Sequence, residues 1–280
     1  MKVAVITNPS RDKQFNNAKK IVKRLLAYTK EVFINVCDIP DCTYVDNTEE
    51  LIKDKDIAIV LGGDGTIISM GKLCAKYGVP LLGLNLGRMG FLVELEKEEL
   101  EDIDRIFTEQ YKVEKRMMLY AQVERRGRVI FSGEALNDAV ISKSGIMKMV
   151  HLNLNIDNCF VNEYYADGII LSTPTGSTAY SLSAGGPVVV PSIDCMVVNP
   201  VCAHTVTSRP MVISSESMVK ITVDRYHFED VILSLDGGRG FRLKDKDVIN
   251  IKKSENYVKL IRFENRSFYD ILRTKLSERN

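Results

Sequence analysis

The run Ile57-Ala58-Ile59-Val60-Leu61-Gly62-Gly63-Asp64-Gly65-Thr66 sets five apolar residues against a turn of three glycines and one carboxylate. Apolar residues in an unbroken run, ended by glycine, read as a strand buried on both faces, as in a parallel sheet. The following residues, Ile67-Ile68-Ser69-Met70-Gly71-Lys72-Leu73-Cys74-Ala75, read as a helix. The turn reads as one that only glycines make easily, with backbone N–H groups pointing at an anion near the helix start. Asp64 is out of place in an anion cradle unless it holds a metal or takes a proton. A tight connection with no ligand stays open on these residues alone.

Working outward, the same alternation recurs. Residues 2–7 read as a buried strand closed by Asn8-Pro9-Ser10, and Ala18, Ile21, Val22, Leu25 and Leu26 share one face of a helix. Residues 31–37 alternate as a second strand, and Thr48-Glu49-Glu50-Leu51-Ile52 reads as a short helix. Beyond the turn, Tyr77-Gly78-Val79-Pro80 stops the helix and Leu81-Leu82-Gly83-Leu84 makes another strand. This predicts a doubly wound, Rossmann-like α/β domain over residues 1–116, with ligands at the carboxyl ends of its strands. Residues 97–110 read as an acidic amphipathic helix with Leu100, Ile103, Ile106 and Phe107 inward.

Near Val113 the pattern changes to strand after strand. Residues 118–124, 128–131, 139–142, 151–157, 169–172, 218–223, 231–235 and 248–252 read as strands with turn signals between them. They predict an all-β, β-sandwich-like domain over residues 117–262. One helix interrupts it, starting near Ser177-Thr178 and closed by Gly185-Gly186-Pro187. A helical tail, about residues 263–280, is expected to pack back on the first domain.

Composition narrows the function classes. A chain of 280 residues suits two domains, and its formal charge of +1 implies no long-range field for nucleic acid or an anionic membrane. No apolar stretch approaches a bilayer span, and the N-terminus lacks signal-peptide architecture. The six cysteines form no CxxC pair and the three histidines show no ligand spacing. Free thiols, a cytoplasmic protein and no protein-built metal site are the expectation.

Neither G-x-x-x-x-G-K-[ST] nor G-x-G-x-x-G occurs in the expected context. Instead, Asp167-Gly168 leads into a strand and then Thr173-Pro174-Thr175-Gly176-Ser177-Thr178-Ala179-Tyr180-Ser181-Leu182-Ser183. An N-cap needs one hydroxyl, whereas six with Tyr180 look like a surface for ribose, phosphate or adenine. Asp167 suits sugar hydroxyls, and equally a turn. The run Glu134-Ala135-Leu136-Asn137-Asp138-Ala139 offers an amide and a carboxylate that suit a ribose diol or an adenine edge. Asn-Asp is also an ordinary turn pair.

Together these stretches resemble the NAD kinase family, in order and over nearly the whole chain: residues 62–66, 85–91, Asn137-Asp138, 167–183, Ala203-His204-Thr205 and Arg209-Pro210. The Gly-Gly-Asp-Gly-Thr element is shared with diacylglycerol-kinase-like and phosphofructokinase-like enzymes, whereas the Thr-Pro-Thr-Gly-Ser-Thr-Ala-Tyr run is specific to NAD kinases. The resemblance implies transfer of the ATP γ-phosphoryl group to the 2′-hydroxyl of the adenosine ribose of NAD, giving NADP. It also implies a divalent cation such as Mg²⁺ and a homodimer or homotetramer. By that likeness Asp64 is the proton acceptor, with Gly63, Gly65 and Thr66 in the nucleotide turn and Phe91 near the adenine. Asn137, Asp138, Tyr165, Asp167, Thr175, Thr178, Ala179, Tyr180 and Ser183 then belong to the NAD site.

Two positions depart from the family pattern. Asp138 stands where Glu is common, and Tyr165 stands where many members carry Arg. Two rivals are a lipid or sugar kinase sharing the glycine turn and a module that binds NAD(H) without turnover. The first has no need of the hydroxyl-rich 173–183 segment, and the second forms no NADP.

Overall fold

The first five strands are β1 Val3–Thr7, β2 Val32–Ile34, β3 Thr43–Tyr44, β4 Ile57–Leu61 and β5 Leu81–Leu84. They pair in parallel in the order β5-β4-β1-β2-β3, with Val3 opposite Ile57 and Thr7 opposite Leu61. In this computed structural model the described residues are 1–37, 39–87, 90–144, 149–204, 208–224, 231–263 and 266–277. Every residue of β1, β4 and β5 is buried, as the unbroken apolar runs require.

Helix α1, Asn16–Leu25, buries Ala18, Ile21, Val22 and Leu25 against that sheet. The buried Asp12 carboxylate accepts the N–H groups of Asn17 (3.0 Å) and Ala18 (2.9 Å), satisfying donors that a helix start leaves open. Helix α2 is Thr48–Ile52, capped by the Asn47 side chain, and α3 is Asp64–Tyr77, stopped by Gly78 in the left-handed region.

The expected helix over 97–110 is instead a run of 3₁₀ turns, Lys97–Ile106, broken at Glu99. The segment crowds Glu96, Glu98, Glu99, Glu101, Asp102 and Asp104, and like charges at helical spacing oppose an α-helix. Glu99 is also drawn aside, accepting from the Glu96 N–H (2.9 Å) and from Arg266 (2.6 Å). Ile103 and Ile106 are still buried.

The later strands are β6 Lys112–Arg125, β7 Arg128–Ala135, β8 Asp138–Lys143, β9 Val150–Ile156, β10 Cys159–Ala166 and β11 Gly168–Ser172, then β12 Cys195–Val201, β13 Met211–Ser214, β14 Val219–Asp224, β15 Val231–Leu235, β16 Phe241–Leu243 and β17 Val248–Arg262. One antiparallel sheet has the order β13-β12-β11-β8-β15-β16. A second joins β10-β9-β14-β17, also antiparallel, and β6 pairs with β7 and β17.

The single helix expected from Ser177 is split. A 3₁₀ turn, Thr175–Thr178, breaks at Ala179 and a short α4, Tyr180–Ser183, follows. Ser177 Oγ donates to the Pro174 carbonyl at 2.7 Å, one of the local bonds by which hydroxyls compete with a helical backbone. The last helix is α5, Phe268–Ser277.

The chain divides into two compact units. One comprises Met1–Lys115 with Asn256–Asn280, the other Arg116–Glu255, so β6 and β17 each run from one unit into the other. No helix among the described residues is long and apolar enough to cross a membrane.

Candidate functional site

In the first unit the strand order reverses between β1 and β4, and such a switch point opens a crevice beyond the strand ends. A cavity of about 760 Å³ lies there, lined by Asn8 after β1, Gly63 and Asp64 after β4, and Asn85 after β5, together with Arg11 and Lys275. Asp64 is the first residue of α3, where the first N–H groups of a helix have no intrahelical partner. The helix dipole adds positive potential at the same place.

Both Asp64 oxygens are oriented by backbone. Oδ2 accepts the Phe91 N–H and Oδ1 the Leu92 N–H, each at 3.0 Å. The carboxylate is therefore aimed rather than free to rotate, and each oxygen keeps a lone pair for a further proton or donor. A Cβ on Gly90 would lie 2.1 Å from Asp64 Oδ1, so glycine at that position leaves room for this pose. Phe91, expected near the adenine, lies with its ring 6.1 Å from that of Phe268, while its carbonyl accepts from Arg262.

The glycine turn is built differently from the sequence expectation. Gly63 has extended backbone (φ −88°, ψ −176°), which any residue adopts, and none of Gly62, Gly63 and Gly65 has a positive φ. At Gly62 the requirement is space, since a Cβ there would lie 2.6 Å from Thr66 Oγ1, whereas a Cβ on Gly65 would meet nothing within 4 Å.

Arg11 and Lys275 were not among the expected site residues. A Cβ on Gly63 would lie 3.3 Å from Arg11 Nη1, so the guanidinium stands over the turn. Its signal was available, since Arg11 follows the strand-ending Asn8-Pro9 and strand ends are where ligands gather. Lys275 lies in α5, far along the chain, and carried no local signal.

In the second unit Asn137 precedes and Asp138 opens β8, a central strand of the six-stranded sheet. Their backbone is bonded on both sides. Thr173 N–H donates to the Asn137 carbonyl (2.8 Å) and Thr173 Oγ1 to the Leu136 carbonyl (2.6 Å). A Cβ on Gly176 would lie 2.1 Å from the Asn137 carbonyl oxygen, so only glycine permits this approach. The Asp138 carboxyl is buried, 5% exposed, and burial followed by the nearby Asp236 charge pushes it up to about 7 from 3.8.

The hydroxyl-rich segment is mostly turned inward. Thr173, Thr175, Ser177, Thr178 and Ser181 are buried. Ser177 Oγ accepts the Val189 N–H (3.0 Å), Thr178 Oγ1 donates to the Thr175 carbonyl (3.3 Å), and buried Arg116 donates to Thr175 Oγ1 (3.4 Å). Tyr180 and Ser183 are exposed and Ala179 half-buried. The segment thus braces the Asn137 edge and leaves few hydroxyls on its surface.

Asp167 pairs with Lys143 at 2.6 Å, and Tyr165 stacks on His151 with ring centroids 4.4 Å apart. Exposed His204 donates its N–H to the Tyr165 carbonyl (2.8 Å). Arg88 and Met89 of the 85–91 motif, and Thr205 of Ala203-His204-Thr205, lie outside the described residues. All six cysteines are free thiols. Among the described residues no three His, Cys, Asp or Glu side chains gather as a metal site.

Two family models match the chain: the ATP-NAD kinase N-terminal domain over residues 8–111 and the ATP-NAD kinase C-terminal domain over residues 136–263. A NAD kinase of Thermoanaerobacter sp. (strain X514) is 40% identical over 282 residues, covering 99% of each chain. The crystal structure of an NAD kinase from Archaeoglobus fulgidus in complex with ATP superposes with a TM-score of 0.75 at 27% identity, covering 99% of both chains. Yeast NADH kinase complexed with NADH shares the fold, with a TM-score of 0.86 at 23% identity over 98% of this chain and 86% of that one.

Proposed function

The chain belongs to the NAD kinase family, and from that membership we propose that it transfers the γ-phosphoryl group of ATP to the 2′-hydroxyl of the adenosine ribose of NAD, giving NADP. The observation that carries this reading is the Asp64 carboxylate, which stands on the first residue of α3, accepts the Phe91 and Leu92 N–H groups and lines a cavity with two cationic side chains.

Phosphoryl transfer asks a protein for alignment, charge neutralisation and help with one proton. Asp64 accepts the proton of the 2′-hydroxyl as its oxygen bonds to phosphorus. Arg11, Lys275 and the turn of Gly63, Gly65 and Thr66, with the open Asp64 and Gly65 N–H groups at the start of α3, meet the negative charge of the triphosphate, and ADP leaves as the bond from its terminal oxygen to the γ-phosphorus breaks. Phe91 lies beside the adenine. Asn137, Asp138, Asp167, Tyr180 and Ser183 hold NAD through their side chains. Thr175, Thr178 and Ala179 shape the edge beneath it, and Tyr165 offers its ring.

The cavity residues suit a divalent cation only as a companion of the nucleotide. Asp64 is the one carboxylate among the described lining residues, and Mg²⁺ is typically held by one or two carboxylates plus substrate phosphates and water. Bound in that way, it would neutralise charge on the phosphates. Six free thiols agree with a cytoplasmic enzyme, and we take family likeness to mean a homodimer or homotetramer.

The test is a coupled assay for NADP from ATP and NAD. Formation of NADP that requires both substrates is the expected result. Binding of NAD without NADP would leave only a sensing module. Phosphorylation of a lipid or sugar in place of NAD would move the chain to the rival kinase reading.

A further inference from the structure

Asp236 lies between β15 and β16, a hundred residues from the Asn137 edge, yet its carboxylate is bonded to that edge. Oδ2 accepts the Leu136 N–H at 3.0 Å, while Oδ1 accepts the Asn137 N–H at 2.7 Å and the Asp138 N–H at 3.2 Å. Its own N–H donates to the Asp138 carbonyl at 2.9 Å. We infer that Asp236 is a positioning residue for the dinucleotide site: its carboxylate sets the backbone from which the Asn137 amide and the Asp138 carboxyl reach NAD. This rests on the assignment of NAD to Asn137 and Asp138 above.

The simpler account is that Asp236 only makes a turn. Asp236 and Gly237 both have positive φ (51° and 66°), and Gly238 N–H closes on the Leu235 carbonyl at 2.9 Å, as in a two-residue hairpin turn. That geometry explains a residue tolerant of the left-handed region, and Asn or Gly would serve as well. It does not explain a carboxylate spread over three consecutive N–H donors of another strand. Three such donors in a row occur where a chain leaves a ladder, and unpaired they would carry a desolvation penalty.

The other side of the same edge is already closed. Thr173 takes up the Leu136 and Asn137 carbonyls, and Gly176 packs against the latter. With N–H groups and carbonyls both engaged, the peptide planes from Leu136 to Asp138 have one orientation. The Asn137 side chain is half-buried and, among the described residues, makes no hydrogen bond of its own. A fixed backbone under an uncommitted amide is the arrangement a pre-organised binding contact requires. The closeness of Asp236 also shows in the raised titration of Asp138.

The substitution Asp236→Asn separates the two accounts. It keeps the turn and the side-chain size, but an amide nitrogen replaces one oxygen, so one of the three N–H groups meets a donor. The expected result is a KM for NAD raised about tenfold or more, with KM for ATP within about twofold. Amide hydrogen exchange at Leu136, Asn137 and Asp138 should accelerate by about tenfold or more, while strands β11 and β12 stay protected. Unchanged NAD affinity in a variant with accelerated exchange would overturn the positioning role, as would KM values rising together for both substrates.

If Asp236→Asn fails to fold, the unmodified enzyme decides through the same exchange measurement. Protection of those three N–H groups above the neighbouring loop supports the clamp, and its absence refutes it. Failure of the unmodified enzyme to form NADP would refute the NAD kinase reading separately, because the exchange measurement needs neither substrate nor turnover.

Discussion

Asp64 and Asp138 are both aspartates at the edge of a β-structure, and the two units hold them in opposite ways. Asp64 faces N–H groups: Phe91 and Leu92 donate to it and the start of α3 lies behind it. Asp138 faces burial and another carboxylate, and its acidity falls until it titrates near 7. The first arrangement aims a charge at an open cavity. The second keeps a carboxyl close to neutral beside a backbone that Asp236 and Thr173 hold in place. We read the first as the chemical centre and the second as the recognition centre.

The largest expected effect falls on the first. Asp64→Asn should lower kcat by at least about 10²–10⁴-fold, the range of general-base help, in the NADP assay. Gly90→Ala comes next. The added methyl would occupy the place of the Asp64 carboxylate, and a displacement of that kind should cost about 10²-fold in kcat with the fold intact by circular dichroism.

Asp138 also gives a stability signature. A carboxyl raised from 3.8 to about 7 binds its proton more tightly in the folded state than in the unfolded one. The resulting advantage is complete below about pH 4, is lost as pH rises toward about 7, and changes no further above that. Asp138→Asn removes this dependence. Between pH 5 and 8 the unmodified protein should therefore lose about 2–3 kcal/mol relative to the variant, read from urea unfolding midpoints. A parallel pH dependence in both proteins would mean that Asp138 is solvated. The smallest effect should be that of Lys143→Ala. Its pair with Asp167 is partly exposed, so unfolding stability should change by no more than about 1 kcal/mol.

What could be read from the chain differs between the two centres for a physical reason. The Asp64 turn is local: an apolar strand, a glycine turn and a helix are adjacent in sequence, and β4 and α3 form where the pattern placed them. Its glycines are legible as glycines, but the need for Gly62 comes from Thr66 and the need for Gly90 from the Asp64 carboxylate, which only the folded chain reveals. The Asn137 centre is assembled from β8, the segment after β11 and the turn after β15. Sequence shows the hydroxyls of 173–183 and cannot show that Thr173 and Ser177 spend them on backbone.

Asp236 was illegible because Asp-Gly is an ordinary hairpin pair. The return of the chain to the first unit falls inside β17, where an unbroken strand pattern carries no boundary signal. Expected helices failed where side chains compete with the backbone, at the acidic run after Glu96 and at Ser177.

The most direct test of this division measures Asp64→Asn and Asp138→Ala side by side, with calorimetry for NAD affinity and the NADP assay for kcat. The account predicts that Asp64→Asn loses at least about 10²-fold in kcat and binds NAD within about twofold of the unmodified enzyme, whereas Asp138→Ala loses mainly NAD affinity. Near-normal turnover in Asp64→Asn, or loss of NAD affinity in step with kcat, would contradict it.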